Sequence, residues 1–508
     1  MKLHPLSVPF RAVSRGIGLA WAFLVGGVAL AQGDPVLTSG AVVLAVLAIA
    51  AIVAYEIAYY RRFEYELTED SLDISSGVFS RREREIPLRR VQNVDVTRSF
   101  VARLLGLAKV DVETAGGGGT EASLRFVSRE EAGRLQEEVR ERRRATRDEA
   151  TDAEESDATA EDTEERAERE RRGETLFELS DRDLVLYGFL SFDPRLLSGI
   201  AALAPFVAPA VVDRVNLSGF GLAVVGAVLA VGALGIWVVS AVARIVQFYG
   251  FRLRRVGDDL RYERGLFERR DGTIPLSKLQ TVSVEENVLM RRYGFASLAV
   301  ETAGYAPGSS PSGGSEAAVP IAPREDVLAL AQSLEPFDDF DVSRPPERAR
   351  KRYVRRYALV GVAVLAVAFL VSRYLLAFPW YAVALLIPLA VPAARLAYRN
   401  RGLDLGGDHV VTQSGFWRRQ TRVVPYRRVQ TVIRQQTVFQ KRWNLTTVVF
   451  DTAGSRSIAG GDAAAIDRDD ADADEVATTV EERVLEAIGG SDSKTVGQSG
   501  VSENESPK

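Results

Sequence analysis

Arginine dominates the chemistry this sequence can do. There are 57 Arg against 7 Lys. A guanidinium is always charged and offers a planar fork of donors that fits carboxylates and phosphates. In 413–443 eight basic residues stand with no acidic one: Arg418, Arg419, Arg422, Arg427, Arg428, Arg434, Lys441 and Arg442. The basic-to-acidic balance is eight to three over 78–110 and six to four over 264–292. The candidate anion-binding residues are Arg81, Arg82, Arg89 and Arg90, then Arg269, Arg270 and Lys278, then Arg418, Arg419, Arg427 and Arg428. Lipid headgroups or an acidic partner segment would satisfy them; merely solvated basic strands are the competing reading. Nucleic acid is not expected, because aromatic platforms are not interleaved with these arginines.

Little else could carry a reaction. With no Cys, the chain has no disulfide framework, thiolate metal site or thiol nucleophile. His4 and His409 are its only histidines. No nucleophile elbow, P-loop, zinc-protease or dinucleotide fingerprint occurs. The run Gly116–Gly119 follows a strand without a helix opening on it, so a flexible hairpin loop is expected there. Glu83 and Glu85 alternate with Arg, which suggests cross-strand ion pairs. Glu56, in an apolar run, is expected to pair with Arg61 at an interface. The expectation is a protein that is not an enzyme and needs no cofactor or metal.

The elements that must position these arginines are of two kinds. Six apolar stretches run roughly over 16–32, 36–59, 194–212, 217–243, 357–377 and 378–398. About 20 apolar residues cross a bilayer, so three helical hairpins are expected. Pro205, Pro209, Pro388 and Pro392 interrupt the third and sixth stretches, a weak transporter-like cue. Buried helices of a soluble protein are the alternative. Lys2, Arg11, Arg15, Arg61, Arg62, the series from Arg344 to Arg356, Arg399 and Arg401 flank the pairs. The turns inside the pairs hold only Arg214 and Arg373. By the positive-inside rule the N-terminus and all large polar segments face the cytoplasm.

The second kind is a repeat. Residues 63–116, 251–304 and 401–454 align without a gap, at spacings of 188 and 150 residues. Eight positions are identical in all three copies, among them Gly77, Gly265 and Gly415, and Pro87, Pro275 and Pro425. Phe79, Phe267 and Trp417 match conservatively. Alternation in Phe63–Thr68, Leu72–Gly77 and Val91–Val96 predicts strands. The glycines sit where a reversal needs positive φ. The prolines mark a strand start or an edge. A short helix from Phe100 closes at Gly106, Gly294 or Asn444, residue types suited to a left-handed helix end. A closing helix starts at Ser128, with counterparts over Ala322–Leu334 and Asp474–Ile488.

The run Ile86–Val96, with Phe100–Gly106 and Ala108–Gly117, closely resembles the bacterial pleckstrin-homology-like domain of multipass membrane proteins. Paired helices with such domains in tandem resemble the YdbS/YdbT-like proteins. The resemblance implies two orthogonal sheets closed by a C-terminal helix, and leaves activity undefined. Asn444, Arg434 and Asp451 depart from the other copies, so the three need not share a ligand. The expected fold is six transmembrane helices in hairpins alternating with three small β-rich pleckstrin-homology-like domains. The expected order is hairpin 1–62, domain 63–145, acidic linker 146–172, hairpin 173–247, domain 248–338, basic flank and hairpin 339–400, domain 401–488 and a disordered tail 489–508. Residues 148–170 hold twelve acidic and two basic residues, a disordered composition. Such acidity with scarce Lys resembles haloarchaeal proteins. The expected role is a scaffold in the cytoplasmic membrane, binding anionic lipids, protein partners or itself. A transporter or export component is the alternative.

Overall fold

The computed structural model describes residues 35–68, 71–88, 91–114, 122–135, 173–192, 219–303, 315–374, 380–453 and 462–496, with short pieces within 4–12 and at 138. Two units are distinguished: residues 1–172 with 261–273, and the remainder. Each is described by itself.

The first unit opens on helix α1 (Pro35–Arg62), which covers the second apolar stretch. It leads into β1 (Glu64–Leu67), β2 (Ser71–Ser76) and β3 (Arg82–Pro87), an antiparallel sheet in that order. A second set follows: β4 (Val91–Ser99), the short helix α2 (Phe100–Leu104), β5 (Leu107–Thr114) and β6 (Ala122–Ser128). Residues 129–135 are helical. As the sequence predicts, Ser128 caps this helix, its Oγ accepting from the Glu131 N–H at 3.1 Å. Phe63, Leu72, Ile86, Val94, Val110, Leu124 and Leu135 meet in one core. Burial alternates over residues 108–112 of β5, which fixes the register there, since a one-residue slip would turn the core set outward.

The second unit repeats this plan. β7 (Glu174–Glu178) pairs with β8 (Arg252–Val256). Between them lie α3 (Asp181–Leu190) and α4 (Gly219–Phe248). β9 (Asp259–Arg264) and β10 (Glu268–Pro275) follow, with residues 261–273 counted in the first unit. Then come β11 (Leu279–Asn287), α5 (Val288–Tyr293), β12 (Phe295–Thr302), β13 (Ser315–Pro323) and α6 (Arg324–Leu334). Helix α7 (Glu347–Tyr374), a 3-10 stretch over Trp380–Leu389 and α8 (Ala390–Arg399) introduce the third module. That module is β14 (Gly402–Leu405), β15 (His409–Ser414), β16 (Arg418–Pro425), β17 (Val429–Gln435), α9 (Val438–Lys441), β18 (Leu445–Thr452), β19 (Ala463–Asp469) and α10 (Asp470–Val496).

The three conserved glycines behave as their spacing predicts. Gly77, Gly265 and Gly415 have φ of 116°, 104° and 115°. A Cβ there would fall 1.9, 2.0 and 1.8 Å from the carbonyl oxygens of Ser80, Glu268 and Arg418. No side chain fits, so each hairpin is given the same shape. Gly106, Gly294 and Asn444 close the short helices with φ of 67°, 75° and 47°.

Several expectations need correction. The prolines do not start strands: Pro87, Pro275 and Pro425 are the last residues of β3, β10 and β16, while Pro87 does lie on the edge strand of its sheet. A residue without an N–H is tolerated where the ladder stops. Residues 174–190 do not begin a membrane hairpin but form β7 and α3, whose N-cap is Ser180. Likewise Ser343, upstream of the third apolar pair, bridges to Leu403 in β14. The sixth stretch is not one α-helix: proline lacks the N–H that closes the i→i−4 bond, and Pro388 lies inside the 3-10 stretch. Helix α10 continues to Val496, into the stretch whose composition suggested a disordered tail; no proline intervenes to stop it. Stretches 16–32 and 194–212, the glycine loop 116–119 and the acidic linker 148–170 lie outside the described residues.

Among the described residues two helices are long and apolar enough to cross a membrane, Gly226–Phe248 and Glu347–Tyr374. Their apolar windows are almost wholly unburied, with Val231, Val239, Leu359 and Val367 facing outward. Such faces are stable against acyl chains and costly against water.

Candidate functional site

The modules are joined by strand pairing, and most of the candidate arginines lie at the joints. In the first unit, β10 lies against β4, so the sheet runs β6-β5-β4-β10. The pairs are Glu268 with Ser99, Arg269 with Arg98, Arg270 with Thr97 and Asp271 with Val96. In the second unit β16 lies against β11 in a six-stranded sheet, β13-β12-β11-β16-β15-β14. There Arg418 opposes Asn287, Arg419 opposes Glu286, Gln420 opposes Glu285 and Thr421 opposes Val284. Shifting the first set by the repeat spacings, 150 for β10 and 188 for β4, reproduces the second set pair for pair. The third strand of one module therefore docks on the fourth strand of the module before it, twice, in one register.

Side chains complete each joint. At the first, Arg98 is ion-paired with Asp271. Arg103 Nη2 donates to the Leu266 carbonyl at 2.7 Å. Phe267, at the hairpin tip, meets Phe100 edge-on at 6.1 Å. Arg269 reaches Glu263 at 2.6 Å and Arg270 reaches Glu268 at 2.8 Å. Burial works against both charges, but the carboxylate hydrogen bonds prevail and raise both guanidinium pKa values. At the second joint, Arg418 meets Glu285 and Arg419 meets Glu286, each at 2.6 Å. Gln420 donates to Glu285 at 2.7 Å. Trp417, the tip residue, donates its indole N–H to the Phe192 carbonyl at 3.0 Å.

The turn after β16 adds a clasp. Arg427 donates to both oxygens of Glu335 at 2.6 and 2.7 Å, and His409 lies 3.2 Å from the same carboxylate. Burial opposes ionisation of Glu335, yet the hydrogen bonds from His409 and Arg427 hold its pKa below the usual carboxylate range. Arg428 donates to the Ser277 carbonyl at 2.8 Å. Lys278 is half-buried, and its carbonyl accepts from Ala303 N–H. Arg81, just before β3, and Arg82, its first residue, remain exposed, with Arg81 3.0 Å from Glu83. That pair joins residues two apart along the chain; Glu83 lies opposite Ser75, so the expected cross-strand pair is not formed. Arg89 and Arg90 lie outside the described residues. Within each unit the described candidates are thus spread over separate contacts.

A second feature is invisible in the pattern of charges. Asp467, in β19, has φ of 60° and is fully buried. It accepts from Arg352 at 2.6 Å, Tyr353 at 2.7 Å, Gln440 at 2.8 Å and Arg401 at 3.0 Å. Two cations and two neutral donors compensate one buried carboxylate, which fastens α7 and the residues just after α8 to the third module. Beside it Arg348 donates to the Trp443 carbonyl at 2.8 Å. Arg350, Lys351, Arg355 and Arg356 stay exposed at the foot of α7, with Arg355 stacked 4.9 Å over Trp443. Glu56 is buried 3.0 Å from Arg11, so its partner is Arg11 and not Arg61. Among the described residues no group of acidic or His side chains could hold a metal.

A family profile described as Bacterial PH domain matches residues 19–143, 201–337 and 358–484. The chain belongs to the bacterial PH domain family. Each match takes in an apolar stretch and the module after it. The PH chain is 26% identical over 425 residues to the UPF0699 transmembrane protein YdbT of Bacillus subtilis (strain 168), covering 80% of this chain and 83% of the relative. It is 33% identical over 89 residues to the UPF0699 transmembrane protein YdbS of the same organism, covering 18% of this chain and 54% of that relative. No solved structure matches. With two outward-facing apolar helices, this PH chain is a membrane protein that resembles YdbS and YdbT and carries three PH modules in tandem.

Proposed function

We propose that the chain is a non-enzymatic scaffold: a row of three PH modules held at the inner face of the cytoplasmic membrane, presenting sheet edges to protein partners and basic residues to anionic headgroups. The observation that carries this reading is the strand joint that recurs in one register, once within each unit. Three helical hairpins, with the N-terminus and all modules cytoplasmic, are the topology that the flanking Lys and Arg favour.

The strand arginines at the joints are occupied by carboxylates, so headgroup contact is assigned elsewhere. Arg350, Lys351, Arg355 and Arg356 are exposed where α7 turns apolar. Each basic residue at an anionic surface contributes about 1 kcal/mol. Trp443 and Tyr357 stand beside them, residue types enriched at bilayer interfaces. The test is lipid retention. The full chain is extracted in mild detergent from membranes containing phosphatidylglycerol, and the lipid carried along is quantified. Replacing Arg350, Lys351, Arg355 and Arg356 together by Gln should remove most of the retained anionic lipid. Replacing Arg418 and Arg419 by Gln should not. Equal retention by both variants would refute the assignment.

A further inference from the structure

The two joints leave one strand of each kind over. Among the described residues β3 ends its sheet, with only β2 beside it, and β17 ends its own, with only β18 beside it. Among the described residues no fourth strand is paired with β3 and no third strand with β17. We propose that β3 of one copy of this chain docks on β17 of a second copy, in the register of the two internal joints, so that copies associate head to tail in the membrane plane.

Four observations carry this. First, the hairpin that presents β3 has the shape of the two that are docked: Gly77 shares its positive φ and its close approach to a carbonyl with Gly265 and Gly415. Second, the repeat spacings give the register: Arg82 opposite Gln435, Glu83 opposite Arg434, Arg84 opposite Ile433 and Glu85 opposite Val432. Third, that register sets Glu83 against Arg434, an opposite-charge pair of the kind that supports cross-strand pairing. Arg434 is also the residue by which the third copy departs from Val96 and Val284. Fourth, the apolar parts match. At the first joint the tip residue Phe267 packs on Phe100. The equivalent tip of the first module, Phe79, is 94% exposed. The position equivalent to Phe100 in the third module is Val438, 71% exposed, beside Phe439 at 70%.

Charged residues on an edge strand ordinarily discourage pairing. Here the docked strands β10 and β16 also carry charge, with Glu268, Arg269, Arg270 and Asp271 on one and Arg418, Arg419 and Arg422 on the other. Charge at these edges therefore selects the partner edge and does not forbid it. Each copy has one edge of each kind, so the contact is heterologous and generates rings or rows. The proposal extends the scaffold reading, but its test does not depend on lipid retention, so either can fail without the other.

The chain has no Cys, so any disulfide reports engineered positions alone. Two full-length copies with different tags are co-expressed, one carrying Glu83→Cys and the other Arg434→Cys, and membranes are oxidised mildly. The expected result is a reducible dimer carrying both tags. Arg82→Cys in place of Glu83→Cys should not cross-link, because neighbouring strand residues face opposite sides of the sheet. Phe79→Ser in the Glu83→Cys copy should cut the yield severalfold. Absence of the mixed dimer, or equal yield from Arg82→Cys, overturns the proposal. So does a doubly substituted chain that closes only on itself.

Discussion

The two internal joints share a register and differ in how their charges are housed. At the joint of β4 and β10, four residue pairs are formed, and Arg269 stands directly opposite Arg98. That like-charge contact is offset by Asp271, which meets Arg98 and lies 3.5 Å from Arg269, all three partly solvated. At the joint of β11 and β16, six pairs are formed, and every residue of β11 is buried. Glu285 and Glu286 are enclosed there, matched by Arg418, Arg419 and Gln420 and approached by Arg324 at 3.4 Å. Register thus follows from module geometry, whereas strength follows from the surroundings of the carboxylates.

The largest effect should come from the buried side of this comparison. Glu286→Ala leaves Arg419 without its carboxylate inside the sheet. Breaking an enclosed pair costs about 3 kcal/mol. Amide exchange of β11 and β16 in the full chain should accelerate accordingly, with β4 and β10 unchanged. Unaltered protection of β11 would show that the ion pair does not hold the joint.

Acid should separate the two joints next. Glu335 has a lowered pKa, so its clasp with Arg427 and His409 is fully present above the ordinary carboxylate pKa and is lost as pH falls through the lowered value. Protection of β15 and β16 should therefore decline on acidification below about pH 4. Glu335→Gln should flatten that part of the profile, and an unchanged profile would assign the loss to other carboxylates. The smallest effect belongs to the first joint. Asp271→Asn removes a partly solvated partner, worth under about 1 kcal/mol. A loss as large as that of Glu286→Ala would erase the distinction between the joints.

Much of each module was legible because its signals are local. Gly77, Gly265 and Gly415 announce a backbone that only glycine adopts, and Gly106, Gly294 and Asn444 announce helix ends. Ser128 announces a cap. The joints were not legible, because periodicity records which face of a strand is buried and says nothing about which edge meets which. Arg419 and Glu286 are 133 residues apart, so the arginine runs looked unpaired along the chain. β7 escaped because it precedes the apolar stretch that appeared to open its unit; a five-residue strand has little periodicity to show. Asp467 lay in a run of acidic residues, where nothing marks the one that turns inward.

The tie at Asp467 has a mechanical consequence. Arg352 and Tyr353 sit one turn inside α7, before its apolar residues begin, and Arg401 sits just past α8. Both ends of the pair are thus tied to one strand of the third module. When the bilayer thins or thickens and the helices change their tilt, the third module must swing with them as a lever. A change in helix tilt is thereby carried into the orientation of the third module.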